Sequence, residues 1–279
     1  MARMRIVALA AAALFTPITA KGADLDTGPG DSSAPAATSE QAQLSRIDRA
    51  FAVLHEWNVV VGAAAIVVPE YEGSDKFKVL PFPLVSASYG DWLHLDARGL
   101  TADLYTSNGF RFGVRGGYEM GRKEDDSDYL AGLGDIDMGG VIGGVASYEN
   151  GPFKIYAEID KTLGGSDGLT GTLGASASHK YDRFIFSADT SATFADDNYM
   201  QAYFGVNASQ SARSGLPQYD AKAGLKRVDV KASVTYMITE NWSVTGAAGA
   251  GLLMGDAKDS PIVKDKVQPF AMMGLAYRF

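Results

Sequence analysis

Residues 267–279 read VQPFAMMGLAYRF. Val267, Ala271, Met273, Leu275, Tyr277 and Phe279 share the odd positions with Pro269, while Gln268, Met272, Gly274, Ala276 and Arg278 take the even ones. A period of two puts alternate side chains on opposite faces of a strand, so this stretch predicts a strand with one apolar face. Working upstream, the same alternation returns. Phe110, Phe112, Val114 and Tyr118 oppose Arg111, Arg115 and Glu119. Phe153, Ile155, Ala157 and Ile159 oppose Lys154, Glu158 and Asp160. Further alternating runs occupy 57–68, 169–181, 184–194, 228–236 and 242–254.

A soluble sandwich also alternates, but its apolar face feeds a core of large aliphatics. Here that face is light in places, with alanine and glycine, and aromatics gather at strand ends: Trp57, Phe110, Tyr148, Phe153, Tyr181, Phe184, Tyr236 and Trp242. Aromatics at the ends of an apolar band form the girdles of a membrane barrel, whose other face turns to a polar lumen. Arg111, Arg115, Glu119, Lys154, Glu158 and Asp160 are the candidate lumen residues. The terminal strand, with Gly274, Tyr277 and Phe279, resembles the signal by which bacterial outer-membrane barrels are recognised and closed.

Composition permits this reading. No apolar run beyond the N-terminus has the ~18 residues that a membrane helix needs. Cysteine is absent, which excludes disulfides, thiolate metal sites and cysteine nucleophiles. A net charge of −8 argues against nucleic acid. Residues 1–20 have the form of a secretory signal peptide, with Arg3 and Arg5 before the apolar run Ile6 to Phe15. Residues 21–56 should form a flexible periplasmic segment, since Lys21 to Gln43 has almost nothing to bury. Ile47, Phe51 and Leu54 in that segment have helical spacing and suggest a short helix.

Connections set the topology of the barrel, residues 57–279. Ser107-Asn108-Gly109, Glu149-Asn150-Gly151, Tyr181-Asp182-Arg183 and Thr239-Glu240-Asn241 read as tight turns. Longer polar loops, 120–135, 164–168, 195–220 and 255–266, alternate with them. Short periplasmic turns and longer outer loops are the barrel pattern. The expected fold is all-β, an antiparallel transmembrane β-barrel of about 10 strands. That count treats 69–91 and 195–220 as outer excursions. Counting Val79–Tyr89 and Tyr199–Ser209 as strands gives the alternative of about 12, which would move the acidic loop Lys123–Asp128 to the periplasm.

Four segments together carry a more specific likeness: PEYEGSD at 69–75, GR at 121–122 with LAGLGDID at 130–137, YMQAYFGV at 199–206, and GDAKDSPIV at 255–263. In this order they resemble the MipA/OmpV family of outer-membrane proteins, with Tyr71, Glu72, Gly73, Gly134, Asp135, Ser260 and Pro261 as the motif positions. The resemblance implies export to the outer membrane of a Gram-negative bacterium, with lipid, lipopolysaccharide and the barrel assembly machinery as its surroundings. It also implies a non-enzymatic scaffold that links a lytic transglycosylase to a penicillin-binding protein in peptidoglycan remodelling. Family members described as porin-like proteins or adhesins supply the alternatives. The family has no catalytic residues to carry over.

His94 shares a face with Asp96, and Ser86 or Ser88 could lie across a hairpin, which raises a nucleophile–base reading and, with it, a lipid-modifying enzyme. Nothing in the spacing demands contact among them. Acidic loops could hold Ca²⁺, yet none has the spaced ligands of a dedicated calcium loop. Gly132 and Gly134 lack the following Lys-Ser/Thr of a phosphate cradle. The expectation is no catalytic residue, no metal and no cofactor.

Overall fold

A computed structural model describes residues 57–279. The expected signal peptide and periplasmic segment lie outside the described residues. The described chain forms a closed antiparallel barrel of twelve strands, each paired with its neighbours in sequence and β12 closing on β1. The strands are β1 Trp57–Pro69, β2 Phe77–Tyr89, β3 Leu93–Asp96, β4 Gly99–Ser107, β5 Phe110–Glu119 and β6 Gly139–Asn150. They continue with β7 Phe153–Leu163, β8 Leu169–Tyr181, β9 Phe184–Ala195, β10 Gly224–Met237, β11 Trp242–Leu253 and β12 Val267–Arg278. Among the described residues no helix is long and apolar enough to cross a membrane. The strands do the crossing instead, because a closed sheet leaves few backbone groups unpaired in hydrocarbon.

The count of about ten is corrected to twelve, but not along the alternative route. Residues 77–89 are indeed a full strand, ladder-paired to β1 from Trp57↔Tyr89 to Pro69↔Phe77. Residues 199–209, read there as a strand, instead fall across two short helices, α1 Asp197–Phe204 and α2 Ala208–Ser214, joined through Gly205–Asn207. Their caps explain it. Asp196 accepts a hydrogen bond from the Tyr199 amide, and Asn207 forms a reciprocal box with Gln210. The remaining strand arises because the chain doubles back at Ala97–Arg98, splitting off the four-residue β3. Two changes of parity cancel there, so Lys123–Asp128 stays on the side of the other long loops. A cysteine at exposed Asp128 should therefore react with a membrane-impermeant thiol reagent on whole cells, while one at Asn150 should not. The reverse pattern would invert the barrel.

Alternation holds on both faces. Val79, Ile142, Phe153, Ile155, Leu173, Val230 and Met273 are exposed on the outside. Tilted or edge-on aromatic pairs form the periplasmic girdle, among them Trp57–Tyr89, Phe110–Tyr148, Phe184–Tyr236 and Trp242–Tyr277. At the tight turns, Asn108 and Gly109 take φ of 50° and 84°, the left-handed pair that suits the twist of a two-residue hairpin. Inside, Ala64, Ile66, Val68, Leu84, Met272 and Ala276 pack into an apolar cluster around the β1–β12 closure.

Candidate functional site

The opposite side of the lumen is charged. Arg111, Arg115 and Glu119 of β5, and Lys154, Glu158 and Asp160 of β7, all point inward. Arg115 donates to Glu158 at 3.2 Å and pairs closely with Asp160. Arg98, at the β3–β4 tip, makes a forked pair with Glu158, with Nη1 at 3.1 Å. Arg111 pairs with Asp103 at 3.1 Å, and the Thr162 hydroxyl donates to Glu119 at 3.1 Å. Lys231 reaches Asp189 at 2.9 Å, and the Tyr156 hydroxyl donates to the same carboxylate at 2.9 Å. Among the described residues Lys154 has no ion-pair partner.

Glycine on intervening strands makes these crossings possible. Register places Gly143 of β6 between Arg115 and Asp160. A Cβ there would lie 2.0 Å from the Asp160 carboxylate, so the pair meets over a position that must lack a side chain. Gly174 of β8 does the same for Tyr156, whose ring covers it on the way to Asp189. The network leaves a cavity of about 380 Å³, lined by Arg98, Arg115, Glu158 and Asp160 together with Phe82 and Phe270.

The long outer loops cover this lumen. Leu130, Leu133, Val206 and Ile262 are buried together with Tyr71, while Met200, Phe204, Leu253 and Ala257 form an adjoining cluster. The Tyr71 hydroxyl donates to the Ile262 carbonyl at 3.0 Å, and the Tyr129 hydroxyl to the Pro261 carbonyl at 3.0 Å. Ser260 donates to the Phe204 carbonyl at 2.5 Å. Gly73, at φ 106°, donates its amide to Gln268 at 2.9 Å and sits against Val263, where a Cβ would collide. Glu124 accepts from the amides of Gly132 and Gly134, and Asp135 accepts from the Glu124 amide at 2.9 Å. The acids of this loop thus cap its own turns. Among the described residues no group of three His, Asp or Glu side chains is placed to hold a metal ion.

Glu72 fastens this roof to the wall. Its carboxylate lies 3.2 Å from Lys226 and 3.4 Å from Arg227, both on β10. Burial alone would raise its pKa, but the two cations prevail and hold it below the usual carboxylate range. The neighbouring Tyr199 hydroxyl, an acceptor for Lys226 at 3.0 Å, is pushed far up by burial and stays neutral. A carboxylate with a lowered folded-state pKa contributes stability above its unfolded value and loses it as pH falls through the folded one. The outer loops should therefore stay protected from proteolysis at neutral pH and open in acid, below the ordinary carboxylate range. Unchanged nicking across that range would remove Glu72 as the latch.

Sequence alternation missed Lys226 and Arg227 as a pair because both turn inward. A register shift between Leu225 and Arg227 breaks the period there, and such bulges leave no dependable mark in sequence. The suspected His94 triad does not assemble. His94 is paired in register with Ser88, yet neither ring nitrogen has a hydrogen-bond partner. Its Nε2 is 3.4 Å from Asp103, while Asp96 instead accepts the Arg98 amide at 2.7 Å. Gly274 lies in the closing ladder opposite Ala64, Tyr277 packs on Trp242 and Phe279, and the Phe279 amide donates to the Val59 carbonyl at 3.0 Å.

A closed barrel with an aromatic girdle, an apolar outer face and a charge-paired lumen defines an outer-membrane β-barrel protein. Residues 61–279 match the profile of the family described as MltA-interacting protein MipA, and the chain belongs to that family. It is 29% identical over 160 residues to the "Putative outer membrane protein YiaT" of Escherichia coli (strain K12), covering 56% of this chain and 63% of that relative's length. To the "MltA-interacting protein" of the same strain it is 31% identical over 83 residues, covering 30% of this chain and 33% of the other. Among solved structures, the NanC porin aligns with a TM-score of 0.43 at 7% identity, over 79% of this chain and 100% of that one.

Proposed function

We propose that this barrel is a non-enzymatic scaffold that holds peptidoglycan-remodelling enzymes at the outer membrane, a lytic transglycosylase and a penicillin-binding synthase being the expected partners. The observation that carries this reading is the state of the lumen. Its inward charges are mostly spent on one another, and four loops pack over its mouth. A barrel this narrow, filled by long side chains, is suited to stay shut. The name of one relative, an interacting protein, points the same way. The five turns on the periplasmic side are short, so segment 21–56 is the natural docking arm.

Crosslinking in the intact envelope, followed by identification of the recovered proteins, tests this. The expected partners are a lytic transglycosylase and a penicillin-binding protein, with recovery reduced when 21–56 is removed downstream of the export signal. Recovery of assembly factors and neighbouring barrels alone would overturn the reading. The cavity beside Arg98 and Arg115 favours the second reading, a small-solute channel, which conductance separates from the first.

A further inference from the structure

Among the described residues the longest unpaired strand edge belongs to β2. That strand pairs with β1 along its whole length, but with β3 only through Ala87, Ser88 and Tyr89. Above them, among the described residues, Phe77–Ser86 has no ladder partner on its second side. The β3–β4 hairpin turns back at Ala97–Arg98, level with Ser86. From there the wall lacks two strands, a gap of roughly three strand spacings of ~4.8 Å. Strand β5 ends two residues above the tip at Glu119, and the loop after it reaches the upper end of β2 through a Lys78–Asp126 ion pair at 3.8 Å.

Two features keep the gap from closing. Pro81 and Pro83 sit within the unbroken β1–β2 ladder, opposite Ala65 and Ala63. Proline has no N–H and fits a ladder only where its nitrogen points away from the partner strand. Both nitrogens therefore face the gap, where the edge lacks the donors another strand would need. On the far rim, the Tyr118 hydroxyl donates to the Ala97 carbonyl at 2.7 Å, tying the hairpin tip to β5. Val79 and Val85, flanking the prolines, are exposed on the outer face.

The lumen cavity reaches both rims. Phe82 from β2, Ala97 and Arg98 from the tip, and Tyr118 from β5 all line it. The space thus extends from Phe82, past the hairpin tip and Tyr118, to the Arg98–Glu158–Arg115 cluster. We propose that this gap is a lateral portal and that the cavity takes an acyl-chain amphiphile from the surrounding bilayer, its chain against Phe82 and Phe270 and its charged head at Arg98 and Arg115. A membrane lipid supplies both halves of that chemistry, and Val79 and Val85 present an apolar outer face beside the gap.

The absence of cysteine allows clean labelling. Phe82→Cys carrying bimane, in the full chain reconstituted into phosphatidylethanolamine–phosphatidylglycerol vesicles containing dibromostearoyl phosphatidylcholine, reports contact with acyl chains. Val230→Cys on the lipid face and Ser178→Cys in the lumen near the periplasm set the limits, with folding checked by heat-modifiability. Quenching at position 82 close to that at 230, and several times that at 178, is expected. Quenching no greater than at 178 would overturn the proposal. Val79→Cys separately tests a second copy at this edge, and disulfide dimers formed in high yield in the same vesicles would overturn it too.

Discussion

A valine at position 62 should leave the chain periplasmic and protease-sensitive, with almost no heat-modifiable barrel. Gly62 lies opposite Ala276 in the β1–β12 ladder that closes the sheet. A Cβ there would stand 2.2 Å from the Leu275 carbonyl oxygen and 2.7 Å from the Ala276 Cα, and both are backbone atoms that cannot rotate away. Relief requires prising β1 from β12. An open seam would bare two strand edges to hydrocarbon, at several kcal/mol for each unpaired group. Gly246→Val is the matched control, because its Cβ meets nothing within 4 Å. Normal yield of folded Gly62→Val would show that the seam is not held as closely as the geometry indicates.

The second large effect belongs to Glu72. Glu72→Ala removes the carboxylate between Lys226 and Arg227 while Arg227 keeps Asp229, 2.6 Å away, and Lys226 keeps only a tyrosine hydroxyl. Breaking one partner out of a largely buried pair costs about 3–5 kcal/mol at the upper end. Here the loss falls on the roof, because Glu72 belongs to a loop and the strands pair without it. Faster hydrogen exchange across 70–76, 196–223 and 254–266, with an unaltered barrel, is the expected result. Glu72→Gln should behave almost as badly, since an amide lacks the charge. Uniform exchange across wild type and both variants would show that the aromatic and aliphatic contacts alone hold the loops.

Much of this was legible in the chain because a membrane strand writes its two faces into alternate residues. That rule placed Arg111, Arg115, Glu119, Lys154, Glu158 and Asp160 on the lumen side, and the Asn-Gly turns fixed which loops are short. What alternation cannot supply is register. That Arg115 meets Asp160 depends on Gly143 lying between them, two strands and a loop away in sequence. Strand β2 lies within 69–91, which the alternation of short and long connections treats as an outer excursion, and its Pro81 and Pro83 suit a strand not paired on both sides. The strand exists, but its upper half is paired on one side only. The helices α1 and α2 were hidden because α1 is only eight residues long, burying Tyr199, Met200 and Phe204, and α2 buries none of its residues, although Asp196 and Asn207 stood as capping signals.

The proposed scaffold has a lumen closed by its own ion pairs and by a roof latched through Glu72. Planar-bilayer conductance of the refolded full chain tests that most directly. Wild type should give no steady current at neutral pH, and Glu72→Ala should give more frequent openings. A steady, concentration-dependent conductance in the wild type at neutral pH would contradict the closed lumen and favour the channel.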